Sequence, residues 1–262
     1  MSARRKTRRA SIVITAGPTR EKIDPVRFIS NYSTGTFGYE IAKEAARRGC
    51  RVTLVSGPTA LENPPKVKTV RVESAREMKA AVEKAVKGAD CLIMAAAVSD
   101  WRAARPSAKK LKRGSGRVTL ELVENPDILA GIAARKIDGL RRRRAYPSGL
   151  TGGLRRRRAY PSGLTGGLRR RRAYGGGLIR GLKLVGFALE TEGVEKNALK
   201  KLRKKGLDMI IANEVGKKSS PFGDHSTNIA IMDRRGMKMK LSGATKRQAA
   251  KIILDKAFDS NI

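Results

Sequence analysis

The 262-residue sequence predicts an α/β fold built on a mainly parallel sheet. Three features carry that expectation. Short apolar runs of strand length alternate with amphipathic stretches of helix length. The first run leads into a polar, glycine-punctuated loop, and that loop leads into a helix. Near the C-terminus two alternating runs face each other around a short turn, as in a hairpin. With 40% hydrophobic residues, a chain of this length can bury one substantial core.

Residues 12–16 (Ile12-Val13-Ile14-Thr15-Ala16) are the first expected strand, followed by a helix over 38–48. Strands over 52–56, 67–72 and 91–97 and a helix over 75–87 continue a mononucleotide-binding βαβ series. Residues 118–123 alternate like a half-exposed strand, and Asn125-Pro126-Asp127 opens a helix over 128–136 with proline near its first turn. Strands over 184–189 and 209–212 flank a helix over 194–205. The hairpin spans 228–233 and 237–241, and a helix over 245–258 ends the pattern. The expected architecture is a Rossmann-like, doubly wound, mainly parallel sheet with helices on both faces and an antiparallel C-terminal extension. Ligands in such sheets bind beyond the carboxyl ends of the strands, where the strand order reverses.

Residues 1–10 form a basic tail, and 11–262 a single domain interrupted by an Arg-rich insertion over 139–181. The insertion is a fourteen-residue unit, Gly-Leu-Arg-Arg-Arg-Arg-Ala-Tyr-Pro-Ser-Gly-Leu-Thr-Gly, starting at Gly139, again at Gly153, and truncated from Gly167 to Tyr174. Its twelve arginines and the five basic residues of the tail account for seventeen of the cations behind the net charge of +35. Each unit carries proline and glycine but too few apolar residues to bury a face, so a disordered surface insertion is expected. Nucleic acid would bind only there, by charge and by stacking on Tyr146, Tyr160 and Tyr174.

No apolar run is long enough to span a bilayer, and the tail lacks the apolar stretch of a secretory signal. Cys50 and Cys91 lie at the edges of separate strands, which fits reduced thiols in a cytoplasmic enzyme. With His225 the sole histidine, a zinc site or a histidine-based triad is disfavoured.

The loop after the first strand runs from Gly17 to Gly38 and departs from the G-x-G-x-x-G dinucleotide fingerprint through a long insert carrying Arg20, Asp24, Arg27 and Asn31. Ser33, Thr34, Gly35 and Gly38 are placed to bring backbone N–H groups and a helix N-terminus to a phosphate. The competing reading is that Gly35 and Gly38 only permit tight packing of helix on strand. An NAD(P)- or flavin-dependent oxidoreductase is a rival function. It suffers because Ser56-Gly57-Pro58, and no acidic residue, ends the second strand.

Three further sets follow strand ends: Met94-Ala95-Ala96-Ala97-Val98-Ser99-Asp100-Trp101, Gly186-Phe187-Ala188-Leu189-Glu190-Thr191 and Ala212-Asn213-Glu214. The opening loop, Ala95 to Trp101, Lys110-Leu111-Lys112-Arg113, Asn125-Pro126-Asp127-Ile128, Gly186 to Thr191 and Lys201 to Asp208 together resemble phosphopantothenoylcysteine synthetase, the phosphopantothenate-cysteine ligase of coenzyme A biosynthesis. The resemblance covers nearly everything except the tail and the insertion. It implies ligation of 4′-phosphopantothenate and L-cysteine through an acyl-nucleotide, with CTP rather than ATP as the expected co-substrate and Mg²⁺ carried by the triphosphate rather than by a protein cage. It also implies a homodimer, and a synthetase acting apart from the flavin-dependent decarboxylase to which many bacteria fuse it.

By the same resemblance, Asn31 contacts the acyl-nucleotide, Arg27 reaches the pantothenate phosphate, from its own subunit or across the dimer, and Lys110 belongs to a mobile flap in which Arg113 replaces a lysine. Gly17, Ser33, Gly35 and Gly38 match the triphosphate cradle. Met94, Ala95, Ala96, Asp100, Asn125, Pro126, Asp127, Ile128, Phe187, Lys201, Lys205 and Asn213 complete the nucleotide contacts. Arg27, Asn31, Ala96, Ala97 and Asp100 serve the acid substrate. Spacing alone leaves plainer alternatives: a turn-capping Asp100, a core Phe187, and solvated lysines at 110, 201 and 205.

Overall fold

The computed structural model describes residues 9–114, 116–145, 181–190, 192–214, 226–234 and 236–258. The elements in the first half are β1 (Ser11–Ala16), β2 (Arg20–Lys22), β3 (Phe28–Ser30), α1 (Thr36–Arg47), β4 (Arg51–Ser56), β5 (Lys68–Arg71), α2 (Ala75–Ala85), β6 (Cys91–Met94), β7 (Trp101–Ala103) and β8 (Leu122–Glu124). The second half adds α3 (Ile128–Ala145), β9 (Lys183–Glu190), α4 (Val194–Lys204), β10 (Met209–Glu214), β11 (Thr227–Asp233), β12 (Gly236–Ala244) and α5 (Lys246–Phe258).

Eight strands form one sheet in the order β12-β11-β10-β9-β6-β1-β4-β5. Pairing is parallel from β5 across to β10 and antiparallel through β11 and β12. The chain runs outward from β1 through β4 to β5, then returns to the other side of β1 with β6. The order therefore reverses between β1 and β6, and their carboxyl ends open a crevice.

Because successive side chains in a strand point to opposite faces, each central strand feeds two cores. Val13, Leu92, Leu184 and Ile210 pack with Met78 and Val82 of α2, Ile132 of α3 and Leu202 of α4. Ile12, Ile14, Ile93, Val185 and Ile211 pack on the other face with Tyr39 and Ile41 of α1 and Ile253 and Leu254 of α5. Burial on both faces explains why β1 and β6 read as continuous apolar runs instead of alternating ones.

Several boundaries differ from expectation. The strand expected over 91–97 ends at Met94 because the Ala96 N–H turns to the Thr15 hydroxyl and the Ala97 N–H to the Gly17 carbonyl. The strand expected over 118–123 contracts to β8, which pairs with β7 outside the main sheet. The loop after β1 contains a hairpin, β2–β3, that its mixed polar sequence did not announce. Helix α3 continues through Ala145, into the first copy of the repeat, whereas 146–180 and the tail residues 1–8 lie outside the described residues, so the expected disorder does too.

One buried carboxylate ties α1 to α5. Glu44 accepts from Arg47 Nε and Nη2 at 2.7 and 2.8 Å and from Arg48 Nε at 2.8 Å, while Arg48 reaches Asp255 at 2.6 Å and the Lys251 carbonyl at 3.0 Å. The Arg47 hydrogen bonds lead in holding the Glu44 carboxyl down at about 2, against the opposing effect of burial and with help from Arg48. A depressed value stabilises the fold above the unfolded-state value of 4.5, and that contribution fades as pH falls toward 2. Glu44→Gln should therefore lower unfolding stability at pH 7 by about 2 kcal/mol. Urea melts across pH 2–7 should show a smaller acid-induced loss in the variant than in the wild type.

Candidate functional site

Helix α1 begins at the rim of the crevice. Its N-cap, Gly35, has φ +80 and supplies no side-chain cap, and the first helical bond is Tyr39 N–H to the Gly35 carbonyl at 3.2 Å. The N–H groups of Thr36, Phe37 and Gly38 precede that bond and have no intrahelical acceptor. They lie at the positive end of the helix dipole, which favours an anion. Residues Ser33 to Gly38 line a cavity of about 160 Å³ together with Ala95, Ala96, Ala97, Phe187, Ala188, Leu189, Asn213 and Lys246.

The glycines serve the backbone first. A Cβ on Gly38 would come 2.6 Å from the Ala16 Cβ and 2.8 Å from the Thr15 carbonyl oxygen, so the helix can sit on β1 only without it. A Cβ on Gly35 would meet Thr59 Cγ2 at 2.8 Å and the Gly17 Cα at 3.2 Å. The tight-packing reading thus holds for these positions, and the N–H groups without an intrahelical acceptor are what remain for a phosphate.

A second cavity, about 220 Å³, adjoins the first through shared Ala96 and Phe187. Met94, Val98, Ser99, Asp100, Asn125, Pro126, Asp127, Ile128, Leu129 and Lys205 complete its wall. Phe187 meets Phe37 edge-on, with ring centroids 5.1 Å apart. The sequence left Phe187 open between a core and a site residue; it lines both cavities. Asn125 is fixed by donating to the Ser99 carbonyl at 2.9 Å and accepting from Arg102 at 3.2 Å, and its N–H donates to the Asp100 carbonyl at 2.7 Å.

Lys205 pairs with Asp127 at 2.9 Å, and Lys201, one turn earlier, pairs with Glu190 at 2.6 Å. Burial pushes the Asp127 carboxyl up, but the Ala130 N–H, the Lys205 ammonium and the Leu129 N–H outweigh it and hold the group below its usual range. Asn213 is buried, and its side-chain oxygen accepts from the Thr227 hydroxyl at 3.0 Å.

Asn31 donates its amide to the Ala97 and Val98 carbonyls at 3.4 and 3.1 Å, which brings the insert of the first loop against the exit of β6. Arg27 lies farther out, donating from Nη1 to Asp24 at 2.9 Å and to the Leu111 carbonyl at 3.0 Å. Lys110 is therefore one residue from a contact of Arg27, although neither lines the two cavities. Asp24 is 2% exposed. Burial raises its carboxyl, and the N–H groups of Val26, Leu111 and Arg27, with the Arg27 charge, bring it below the usual carboxylate range.

The sequence reading missed Lys246, which is 6% exposed, begins α5 and lines the first cavity. A cation at a helix N-terminus opposes the dipole, and that mismatch was the available signal. Local pattern cannot connect the two, since Lys246 stands 208 positions after Gly38. Cys91 is a buried free thiol pushed up to about 12 by burial, no nucleophile at neutral pH. Among the described residues no helix is long and apolar enough to cross a membrane, and no three His, Cys, Asp or Glu converge as metal ligands. His225 lies outside the described residues.

The chain matches the family model described as DNA/pantothenate metabolism flavoprotein C-terminal domain over residues 7–140 and 178–260. The chain belongs to this family. The match skips most of the Arg-rich repeats. The coenzyme A biosynthesis bifunctional protein CoaBC of Escherichia coli (strain K12) is 38% identical over 248 residues, covering 94% of this chain and 50% of that protein. The chain thus spans about half the length of the curated relatives it matches. The crystal structure of the C-terminal domain of a CoaBC protein superposes with a TM-score of 0.66 at 33% identity, covering 94% of this chain and 93% of that one. The DNA/pantothenate metabolism flavoprotein from Streptococcus pneumoniae shares the fold at a TM-score of 0.65 and 21% identity, covering 94% and 97%. The family's sheet is the doubly wound, mainly parallel one expected from sequence, with antiparallel strands at its C-terminal end.

Gly38→Ala should cost about 2 kcal/mol of stability through the clash with Ala16 and Thr15. Ser33→Ala removes only the hydroxyl that accepts the Gly35 N–H at 3.3 Å and should cost less, about 1 kcal/mol. Chemical denaturation of the two variants checks this ranking.

Proposed function

We propose that this chain is a phosphopantothenate-cysteine ligase that activates 4′-phosphopantothenate with CTP and passes the acyl group to L-cysteine. The observation that carries the reading is the pair of joined cavities at the strand-order reversal, one walled by the uncapped start of α1 and the other by Asp100, Asn125 to Ile128 and Lys205. Family membership and the CoaBC relatives support the same chemistry.

A carboxylate resists attack by an amine because its leaving group would be oxide. In the first step a carboxylate oxygen bonds to the α-phosphorus of the nucleotide, and the bond to pyrophosphate breaks. In the second, the cysteine amine bonds to the acyl carbon, CMP departs, and the nitrogen gives up a proton. The protein's work in both is to align the reactants and to stabilise charge on phosphate and acyl oxygen.

In this reading the first-turn N–H groups of α1, with Gly17, Ser33, Gly35 and Gly38 around them, face the triphosphate, and Lys246 adds a cation from across the cavity. The second cavity receives the nucleoside through Met94, Ala96, the Asn125-Pro126-Asp127-Ile128 turn and Phe187, while Ala95 and Asn213 contact the nucleotide from the first cavity. Lys201 and Lys205 exchange their carboxylate partners for nucleotide oxygens. The acid substrate lies along Ala96, Ala97 and Asp100, with the Asn31 amide giving up its longer bond, to the Ala97 carbonyl, to donate to the acyl oxygen, and with Arg27 and Lys110 donating to phosphate. Mg²⁺ would be held by phosphate oxygens and water.

A homodimer fits the exposed apolar side chains beside Arg27. Val26 (60% exposed), Phe28 (45%) and Tyr32 (87%) belong to the first-loop insert, whose β2 packs on β7, and Trp101 (49%) and Leu122 (41%) are exposed on β7–β8. Patches of this kind mark interfaces, and a second copy docked there would bring its own Arg27 close to the site.

Pyrophosphate release from 4′-phosphopantothenate should depend on CTP more than on ATP, and Asn31→Ala should reduce cysteine-dependent product formation by about 100-fold. A folded wild-type protein that releases none with any nucleotide overturns the assignment. Sedimentation at micromolar concentration should give a dimer mass for the wild type and a monomer mass for Phe28→Glu, since burying a charge in an apolar interface is unfavourable.

A further inference from the structure

Asp24 is more completely engaged than any acceptor needed to shape a turn. Its Oδ1 accepts the Val26 and Arg27 N–H groups, both at 2.7 Å, and closes the β2–β3 turn. Its Oδ2 points elsewhere: it accepts Arg27 Nη1 at 2.9 Å and the N–H of Leu111 at 3.1 Å, 87 positions along the chain. Arg27 Nη1 also donates to the Leu111 carbonyl at 3.0 Å, so one amino acid of the 107–113 segment is gripped at both its N–H and its C=O. A second tether, Ser107 N–H to the Ile23 carbonyl at 2.8 Å, fixes the start of that segment to the same turn.

We infer that Asp24 is a positioning residue that locks the Lys110 segment to the Arg27 guanidinium, so that one buried carboxylate sets the place of both cations. The two oxygens divide the labour. Oδ1 maintains the turn, and Oδ2 builds the three-way junction of Asp24, Arg27 and Leu111. The Arg27 guanidinium is oriented by this junction from one nitrogen, Nη1, and carries further N–H donors on Nε and Nη2. Leu111, gripped on either side of its Cα, holds Lys110 beside that guanidinium. In the ligase reading, on which only the kinetic part of the test rests, this fixes the spacing of the two groups assigned to phosphate.

Asp24→Asn separates the two roles. The amide oxygen can keep the place of Oδ1 and the turn, but the NH₂ then faces two donors, Leu111 N–H and Arg27 Nη1, and the junction opens. In the wild type, trypsin should cut slowly after Lys109, Lys110, Lys112 and Arg113; in Asp24→Asn these cuts, identified by fragment mass without any ligand present, should be about tenfold faster. The KM for 4′-phosphopantothenate should rise about tenfold while that for the nucleotide moves less than about twofold, a split that general loosening of the fold would not produce. Leu111→Pro deletes the N–H that Asp24 accepts; it also restrains the local backbone and makes the Lys110 bond resistant to trypsin, so its faster cleavage is read after Lys109, Lys112 and Arg113. It decides the matter if circular dichroism shows that Asp24→Asn does not fold. Unchanged cleavage in a folded variant, or equal rises in both KM values, overturns the inference. If the wild type makes no product, the ligase reading fails and the cleavage rates alone decide the tether.

Discussion

Everything at the site depends on how closely α1 approaches the end of β1. Gly38 has no side chain where an alanine methyl would sit 2.6 Å from the Ala16 Cβ, so the first turn of the helix lies directly on the strand. That approach aims the unpaired N–H groups of the turn at the crevice where strand order reverses, and it brings Gly35 against Gly17. The anion site is thus a by-product of packing. A larger residue at Gly38 would move the helix, and with it the backbone donors of its first turn.

Around this fixed centre, the long loops are held by side chains that bond to backbone. Thr15 and Thr19 hydroxyls accept the Ala96 and Ser99 N–H groups, Asn31 donates to Ala97 and Val98, Asn125 to Ser99, and Asp24 collects three N–H groups. Loops without a ladder of their own must satisfy their polar groups somehow, and here the partners come from other loops of the site. The loops consequently position one another, and a change at one is felt at the next.

The ion pairs add a different kind of constraint. Lys205 with Asp127 and Lys201 with Glu190 keep cations at the rim of the crevice in company with carboxylates. Their partly exposed setting makes each pair weak, which suits groups proposed to change partners when a polyanion arrives. Glu44, by contrast, lies buried between α1 and α5 with two arginines, and its charge belongs to the scaffold.

Much of this was legible in the sequence. Continuous apolar runs announced the parallel strands because strands buried on both faces need no alternation; the motifs at 17–38 and 94–101 follow β1 and β6, the neighbours at the strand-order reversal, and 125–128 follows β8 outside the main sheet and shares a cavity wall with Met94 to Asp100. Local pattern was insufficient where long-range bonds decide. The strand expected to continue to Ala97 stops at Met94 because Thr15 and Gly17 take the next N–H groups. The β2–β3 hairpin lacks alternation because it is short and leans on β7 and on the 107–113 segment. The residue types and their order, which local chemistry records, determined the family, the sheet and the candidate residues. Tertiary structure alone decided that Lys246 joins the cavity, that Phe187 stands between two cavities, and that Asp24 couples Arg27 to Leu111. Those are contacts between segments tens to hundreds of residues apart, and no local periodicity encodes them.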